Sequence, residues 1–98
     1  MRMSKDEAMG MFMGLFVGDA MGAPLEFTKP NQGALVTSMI GGGVHQVSKG
    51  EWTDDGAMAM CIADAYISKK GFNASAIQKN FIEWKDTGKF GTRNEIFD

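Results

Sequence analysis

The chain has 98 residues, which is enough for one domain with a small core. Hydrophobic residues make up 44% and charged residues 22%, a composition that is typical of a soluble globular protein and argues against intrinsic disorder. The net charge of -2 leaves no excess of Lys and Arg to neutralise phosphates, so nucleic acid is excluded as a partner. The single cysteine, Cys61, cannot form an intrachain disulfide, and we expect a cytoplasmic protein.

The first predicted helix runs from about Lys5 to Met21. Ser4 is followed three residues later by Glu7, an arrangement that predicts a capping box at the helix start. Apolar residues recur at steps of three and four along one face: Met9, Phe12, Met13, Phe16, Val17 and Met21. The apolar run is flanked by acidic residues and is shorter than the roughly 20 residues that span a bilayer. We therefore expect a buried helix and no membrane association.

Glycine recurs at every fourth position of this helix, at Gly10, Gly14, Gly18 and Gly22. Each glycine in a helix interior costs about 1 kcal/mol relative to alanine. A face without side chains allows a neighbouring backbone to approach closely, which would offset that cost. We interpret the stripe as a packing face rather than as part of a cofactor site.

A long loop is predicted between Pro24 and Trp52. The proline ends the first helix, because its ring restricts the preceding residue and cannot donate a hydrogen bond. Glycines interrupt the segment, and residues 34–40 could form either a short strand or a turn of helix. Loops of this length are uncommon in compact domains unless they are functional or mobile. The loop is therefore the first indication of a site.

A second helix is predicted from Thr53 or Asp54 to about Lys69, with Gly71 just beyond its end. Its apolar face is expected to include Met58, Ile62, Ala65 and Tyr66, and we expect the helix to be central.

A third helix is predicted after Asn73, which suits an N-cap, and before Gly88, which suits a helix end. Alternation of the kind that marks β-strands is nearly absent. The predicted fold class is all-α.

Thr53, Asp54 and Asp55 place three hard oxygen donors in consecutive residues at a predicted helix start. Mg²⁺ prefers such oxygens in an octahedral arrangement, so the triplet could supply part of a magnesium site. Thr and Asp are also favoured N-caps, and acidic residues in a first turn complement the helix dipole. Taken by itself, the triplet is more simply interpreted as a helix cap.

Other candidates carry weaker signals. His45 is the sole histidine and is interpreted as a surface residue, because one histidine makes no histidine-based metal site. Cys61 has no basic neighbour and is expected to be an inert core thiol. Asp19 could support a site or remain solvated. Trp52 and Trp84 are expected to anchor core or loop.

Two motifs separated by the glycine-containing loop carry a resemblance to a known family. Residues 18–26 read GDAMGAPLE and residues 50–55 read GEWTDD, followed by a helix rich in alanine and methionine. The similarity continues into residues 81–85 and 91–93, so it covers nearly the whole chain. The sequence resembles the ADP-ribosylglycohydrolase family, which includes the dinitrogenase reductase-activating glycohydrolases. The resemblance implies the N-terminal helical part of a larger all-α domain.

The resemblance also implies roles for individual residues. Thr53, Asp54 and Asp55 match the family's N-terminal metal-ligand motif, which helps to hold a pair of Mg²⁺ ions beside the ADP-ribose. Glu26 matches an acidic residue implicated in substrate positioning or in acid/base work on the glycosidic bond. Such hydrolysis passes through an oxocarbenium-like transition state and needs an activated water.

The glycine triplet has two interpretations. Its backbone N–H groups could bind the diphosphate of the substrate, or it could be a flexible surface turn. The residues concerned are Gly41, Gly42 and Gly43.

Two departures from the family pattern affect the expected activity. Gly56 stands where the family often has a threonine, and the family's second metal-ligand cluster, an Asp-x-Asp-Thr pattern near the end of a much longer chain, has no counterpart. We therefore expect a single, truncated domain over residues 1–98, with weak Mg²⁺ binding or none.

Two functions remain open at this stage. The first is magnesium-dependent hydrolysis that removes ADP-ribose from a modified protein or small molecule. The second is an inactive, truncated homologue that binds a protein partner or a second copy of itself, for example an inhibitor encoded by a phage or mobile element. A third interpretation is that the chain is a decayed or artificially truncated fragment.

Overall fold

A computed structural model of the chain describes residues 2–31, 33 and 35–93. It contains three α-helices, α1 (Lys5–Gly22), α2 (Asp54–Lys69) and α3 (Ala74–Thr87), and a short 3-10 helix, Ala23–Leu25. Within these described residues there is no β-strand, only an isolated antiparallel bridge between Gly42 and Val47. The all-α prediction is confirmed.

The chain forms two compact units, Met1–Glu51 and Trp52–Asp98. The first contains α1, the 3-10 helix and the long loop, and the second contains α2 and α3. The expectation of a single domain over residues 1–98 stays a prediction.

Helix α1 begins with the predicted capping box. The Ser4 backbone N–H donates to Glu7 Oε1 at 3.1 Å, and the Glu7 backbone N–H donates to Ser4 Oγ at 3.1 Å. These bonds stabilise the charged carboxylate, so they hold the pKa of Glu7 below its ordinary value. The predicted helix bounds agree with the observed ones to within one residue.

The prediction that α1 is buried is wrong. Ala20 is its only buried residue, and five large apolar side chains are exposed: Met9, Met11, Met13, Leu15 and Val17. A Cβ built at any of the four stripe glycines would meet nothing within 4 Å, so no described residue of the first unit packs closely against the stripe. Helical periodicity shows that a face is apolar, but it does not identify the element that covers that face.

Within the segment Lys5–Leu25, a window of 18 residues has a mean hydropathy of 1.3 and is 22% buried. By length and composition alone it could cross a membrane. A core helix of a soluble protein and an N-terminal signal sequence meet the same criterion, so this is weak evidence for a membrane span.

The glycine-containing loop folds into a tight hairpin-like turn. Gly42 N–H donates to the Val47 carbonyl at 2.7 Å, and Val47 N–H donates back at 3.1 Å. Gly43 has φ of 77°, and a Cβ there would lie 2.5 Å from the carbonyl oxygen of Pro24. The loop therefore lies against the 3-10 helix through a contact that only glycine permits. Residues 35–40 form neither the strand nor the helical turn considered above, and Ala34 lies outside the described residues.

Asn80 of α3 joins the two helices of the second unit. Its side chain is 8% exposed, and Nδ2 donates to the Cys61 carbonyl at 2.9 Å and to Asp64 Oδ2 at 3.0 Å. Cys61 Sγ in turn donates to the Asn80 carbonyl at 3.4 Å. This reciprocal pairing links the middle of α2 to the middle of α3.

The buried side of α2 differs from the predicted face. Ile62 and Tyr66 are 40% and 45% exposed, whereas small residues at four-residue steps are buried: Ala57, Cys61 and Ala65. Ala65 of the predicted face is thus buried, whereas Ile62 and Tyr66 of that face are exposed, because small side chains allow a neighbouring helix to come close.

The predicted ends of α2 and α3 are both confirmed. Asn73 Oδ1 accepts from the Ala76 backbone N–H at 2.9 Å, and Gly88 adopts a left-handed φ of 75° after α3. Helix α2 ends at Lys69, as predicted, and the left-handed C-cap Lys70, with φ of 56°, separates it from Gly71.

We expect Asn80→Ala to lower the free energy of unfolding by about 1 to 3 kcal/mol, because the substitution leaves buried acceptors without their donor. Urea denaturation followed by circular dichroism measures the loss. Lys79→Ala, at the exposed preceding position, is the matched control and should change stability by less than about 0.5 kcal/mol. Equal losses for the two variants would contradict the role assigned to the amide.

We expect Gly43→Ala to destabilise the chain by at least about 1 kcal/mol more than Gly42→Ala. Both glycines have positive φ, 77° and 91°, so both variants carry the backbone cost of a left-handed alanine. Only at Gly43 does the new methyl group also overlap the Pro24 backbone, whereas at Gly42 it meets nothing within 4 Å. Urea midpoints of the two variants give the difference directly, and similar midpoints would show that the contact with Pro24 is dispensable.

Candidate functional site

Glu26 lies in a turn that directly follows the 3-10 helix. The turn is closed by a hydrogen bond from Thr28 N–H to the Leu25 carbonyl at 3.2 Å. Glu26 has φ of -60° and ψ of 142°, and Phe27 has φ of 63°. These angles are those of a type II turn. The turn leaves the Glu26 side chain 37% exposed, so its carboxylate is accessible to a ligand.

His45 holds one oxygen of this carboxylate. Its Nε2 lies 3.2 Å from Glu26 Oε2, and its side chain is only 15% exposed. The interpretation of His45 as a surface residue is therefore wrong. The close approach of Gly43 to Pro24 brings the loop, and His45 with it, to the turn. No motif signals a contact between side chains 19 positions apart.

Phe27 is the second residue that the sequence interpretation missed. It occupies the position of the type II turn that ordinarily takes glycine, with φ of 63°. Its ring is 83% exposed, and its centroid lies 6.2 Å from that of His45 in an edge-on arrangement. Glu26 and Phe27 thus both contact the same imidazole.

The glycine triplet lies in a turn that is closed by backbone hydrogen bonds. Gly42 N–H is committed to the Val47 carbonyl, and a Cβ at Gly41 would lie 2.8 Å from that same oxygen. Close packing within the loop accounts for glycine at Gly41 and Gly43. The flexibility of this surface turn and its role in binding diphosphate both stay predictions.

Thr53, Asp54 and Asp55 lie at the start of α2 in the second unit. Thr53 is the N-cap residue, as the helix-cap interpretation predicts, but its side chain makes no capping hydrogen bond. Instead its hydroxyl, on a side chain that is 1% exposed, donates to Asp54 Oδ1 at 3.2 Å. Asp54 is half-buried and Asp55 is exposed in the first turn of the helix.

The donor chemistry of this triplet fits part of a magnesium site. One hydroxyl and two carboxylates are oxygen ligands of the kind that Mg²⁺ takes. Across residues 2–31, 33 and 35–93, no group of three or more His, Cys, Asp or Glu side chains is arranged to hold a metal ion. The triplet alone therefore supplies fewer ligands than a closed site needs, and its role in binding metal stays a prediction.

Cys61 and Trp52 both lie in the second unit. Cys61 is fully buried, and this burial raises the pKa of its thiol, as expected of an inert core cysteine.

Trp52 Nε1–H donates to the Phe90 carbonyl at 3.0 Å, and the Thr92 hydroxyl donates to the Trp52 carbonyl at 3.4 Å. The prediction that Trp52 anchors a loop is confirmed.

A polar groove of about 500 Å³ lies between α2 and α3 and contains none of the predicted site residues. Lys89 Nζ bonds Glu83 Oε2 there at 2.8 Å. The pair lowers the pKa of Glu83 and raises that of Lys89, because each partner favours the charged form of the other. Both side chains are well exposed to solvent, so the pair contributes little to stability.

Comparison with known proteins identifies several similar chains. The ADP-ribosylarginine hydrolase Tri1 of Pseudomonas putida (strain GB-1) is 39% identical over 93 residues, which are 95% of this chain and 25% of that protein. The ADP-ribosyl-[dinitrogen reductase] glycohydrolase of Rhodospirillum rubrum is 36% identical over 83 residues, 81% of this chain and 28% of that one. The chain thus spans about a quarter of the length of these relatives.

A solved structure described as an ADP-ribosylglycohydrolase-related protein complex matches with a TM-score of 0.75 and 36% identity. The match covers 82% of this chain and 28% of the other. The sequence model of the ADP-ribosylglycohydrolase family matches residues 2–98. The chain belongs to the ADP-ribosylglycohydrolase family, of which it carries the N-terminal portion.

Proposed function

We propose that this chain supplies the N-terminal part of a site that hydrolyses the bond between ADP-ribose and an arginine side chain. Family membership supports the reaction class, and two relatives named as ADP-ribosylarginine hydrolases, at 39% and 38% identity, support the acceptor. The observation that carries the proposal is the half-exposed Glu26 carboxylate, whose Oε2 is held at 3.2 Å by a largely buried His45.

The chemistry assigned to Glu26 follows from that arrangement. In the reaction, a water oxygen bonds to the anomeric carbon of the ribose, the bond from that carbon to the arginine nitrogen breaks, and a proton moves to the leaving guanidino group. A carboxylate can accept the proton of the water or position the departing group. A hydrogen bond to one carboxylate oxygen restricts its rotation and leaves the other oxygen for the substrate.

Thr53, Asp54 and Asp55 would hold Mg²⁺ in this proposal. A bound Mg²⁺ supplies electrostatic stabilisation and orients water at the ribose. Three oxygen-bearing side chains are too few for a pair of octahedral ions, even where water fills several positions, because Mg²⁺ gives up its hydration shell reluctantly. The chain by itself should therefore bind the ion weakly.

We expect the 98-residue chain to bind Mg²⁺ with a dissociation constant of about 10⁻³ M or weaker, by analogy with the weakest oxygen-ligand calcium sites, and to release no measurable ADP-ribose from an ADP-ribosylated arginine substrate. Calorimetric titration with Mg²⁺ and Mn²⁺, paired with an ADP-ribose release assay, tests both parts. The double variant Asp54→Ala with Asp55→Ala should abolish the residual binding.

The matched control is Asp6→Ala with Asp86→Ala, which removes the same charge from exposed positions elsewhere and should leave ion binding unchanged. If both double variants behave alike, the role of the triplet in metal binding is wrong. If the wild type turns over substrate and the Asp54/Asp55 variant does not, another subunit supplies the missing ligands.

The exposed apolar surface of α1 favours a second candidate function, that of a protein-binding module. Five large apolar side chains of this helix are between 41% and 65% exposed, and the glycine stripe is open. Exposed apolar patches of more than a few hundred Å² generally mark interfaces or aggregation-prone surfaces. A chain with an incomplete metal site could serve as an inhibitor that binds another protein through this helix.

We expect the isolated chain to self-associate through α1, with a mass above the monomer value of 10.6 kDa in size-exclusion chromatography with light scattering. Met11→Lys, at a position that is 65% exposed, should reduce the association, because it places a charge in the apolar surface. Ile67→Lys, at a position of α2 that is 79% exposed, is the control and should have no effect. A stable monomer that binds no hydrophobic dye would contradict the assignment.

A further inference from the structure

Phe27 combines two properties that ordinary folding does not explain. Its backbone is left-handed with φ of 63°, at the turn position where glycine is favoured, and a bulky residue there is strained. The strain costs on the order of 1 to 2 kcal/mol. Its ring is nevertheless 83% exposed, so burial of apolar surface does not offset that cost. Strain of this kind is typical of functional sites.

The neighbours of the ring indicate what it would bind. Phe27 and Glu26 both contact His45, the ring at 6.2 Å between centroids and the carboxylate at 3.2 Å from Nε2. An exposed aromatic face and a carboxylate therefore border one imidazole. None of the described residues hydrogen-bonds Glu26 Oε1, so this oxygen can accept a bond from a ligand.

A planar cation suits this pair of groups. Guanidinium can stack on an aromatic ring while one of its N–H groups donates to the available Oε1 of Glu26, whereas an ammonium group has no plane to stack. An uncharged adenine ring could stack on Phe27 but would gain nothing from the negative charge of Glu26. A phosphate group would be repelled by that charge.

We propose that Phe27 is a specificity-determining residue whose ring, held beside Glu26 by the strained turn, packs against the guanidinium group of an arginine side chain. His45 is a positioning residue that holds Glu26 in place for the same group. The inference rests on the proposed function, which supplies arginine as the acceptor, but it concerns residues for which sequence motifs indicate no role.

The test is titration of the full chain with methylguanidinium, followed by NMR. His45 is the sole histidine, so its ring protons give resolved signals that report directly on the site. We expect saturable shifts of the His45 and Phe27 ring signals. The cation–π contribution at an exposed site corresponds to an affinity about two- to five-fold lower when the ring is removed. Methylammonium, which has charge but no plane, should bind at least about two-fold more weakly than methylguanidinium.

Three variants separate the ring from the backbone. Phe27→Gly removes the ring and suits the positive φ, so it should fold at least as well as the wild type while binding methylguanidinium two- to five-fold more weakly. Phe27→Tyr retains an aromatic face and should bind as the wild type does. Phe72→Leu alters an exposed ring of the second unit, 71% accessible, and should change nothing.

Four outcomes overturn the inference. They are the absence of saturable shifts, equal affinities for the two cations, unchanged affinity in Phe27→Gly, and loss of affinity in Phe72→Leu. ADP-ribose carries no guanidinium group, so a parallel titration with ADP-ribose tests the proposed function alone. Shifts with ADP-ribose but none with methylguanidinium would reject the role of Phe27 and keep the family reaction, whereas the reverse result would keep the recognition site and reject the reaction.

Discussion

The contact between Gly43 and Pro24 is the constraint on which the geometry of the first unit depends. A Cβ at Gly43 would lie between 2.5 and 2.8 Å from three backbone atoms of Pro24, so the two chain segments meet backbone to backbone. Pro24 lies two residues before Glu26, and Gly43 lies two residues before His45. When the backbones meet at this point, the carboxylate and the imidazole come within hydrogen-bonding distance of each other. One glycine thus positions a pair of side chains that lie far apart in the sequence.

Local signals in the sequence predicted the helices well because the interactions that end a helix lie within a few residues of one another. The Ser4 and Glu7 capping box and the Asn73 cap were both predicted from such spacings and are confirmed. Which element packs against each apolar helix face could not be predicted in the same way. Large apolar residues marked α1 as buried, yet Met11 is 65% exposed, because burial depends on what packs against a helix and no periodicity encodes that.

The candidate site shows the same division between local and distant interactions. Sequence motifs identified Glu26 and the triplet at Thr53, but they attributed no role to His45 or Phe27. The contact of His45 with Glu26 bridges 19 positions and depends on the path of a loop, which a single sequence does not specify. The left-handed backbone of Phe27 likewise belongs to a type II turn. Residues 25–28 do not predict this turn, because they lack the glycine that usually marks it.

The two groups of candidate residues, Glu26 with His45 in the first unit and Thr53 to Asp55 in the second, differ in how much of the protein each needs. The pair of Glu26 and His45 is closed within the first unit by contacts of residues 24–47, so its geometry is complete in a chain that spans about a quarter of its relatives. A site for two octahedral ions needs more oxygen ligands than one helix start can offer, and at Thr53 to Asp55 only three donors occur together. Binding of a planar cation should therefore need only residues of the first unit, whereas metal-dependent chemistry needs oxygen ligands beyond those of Thr53 to Asp55. For that reason, binding of a guanidinium group is a property that can be measured in this chain even where turnover is absent.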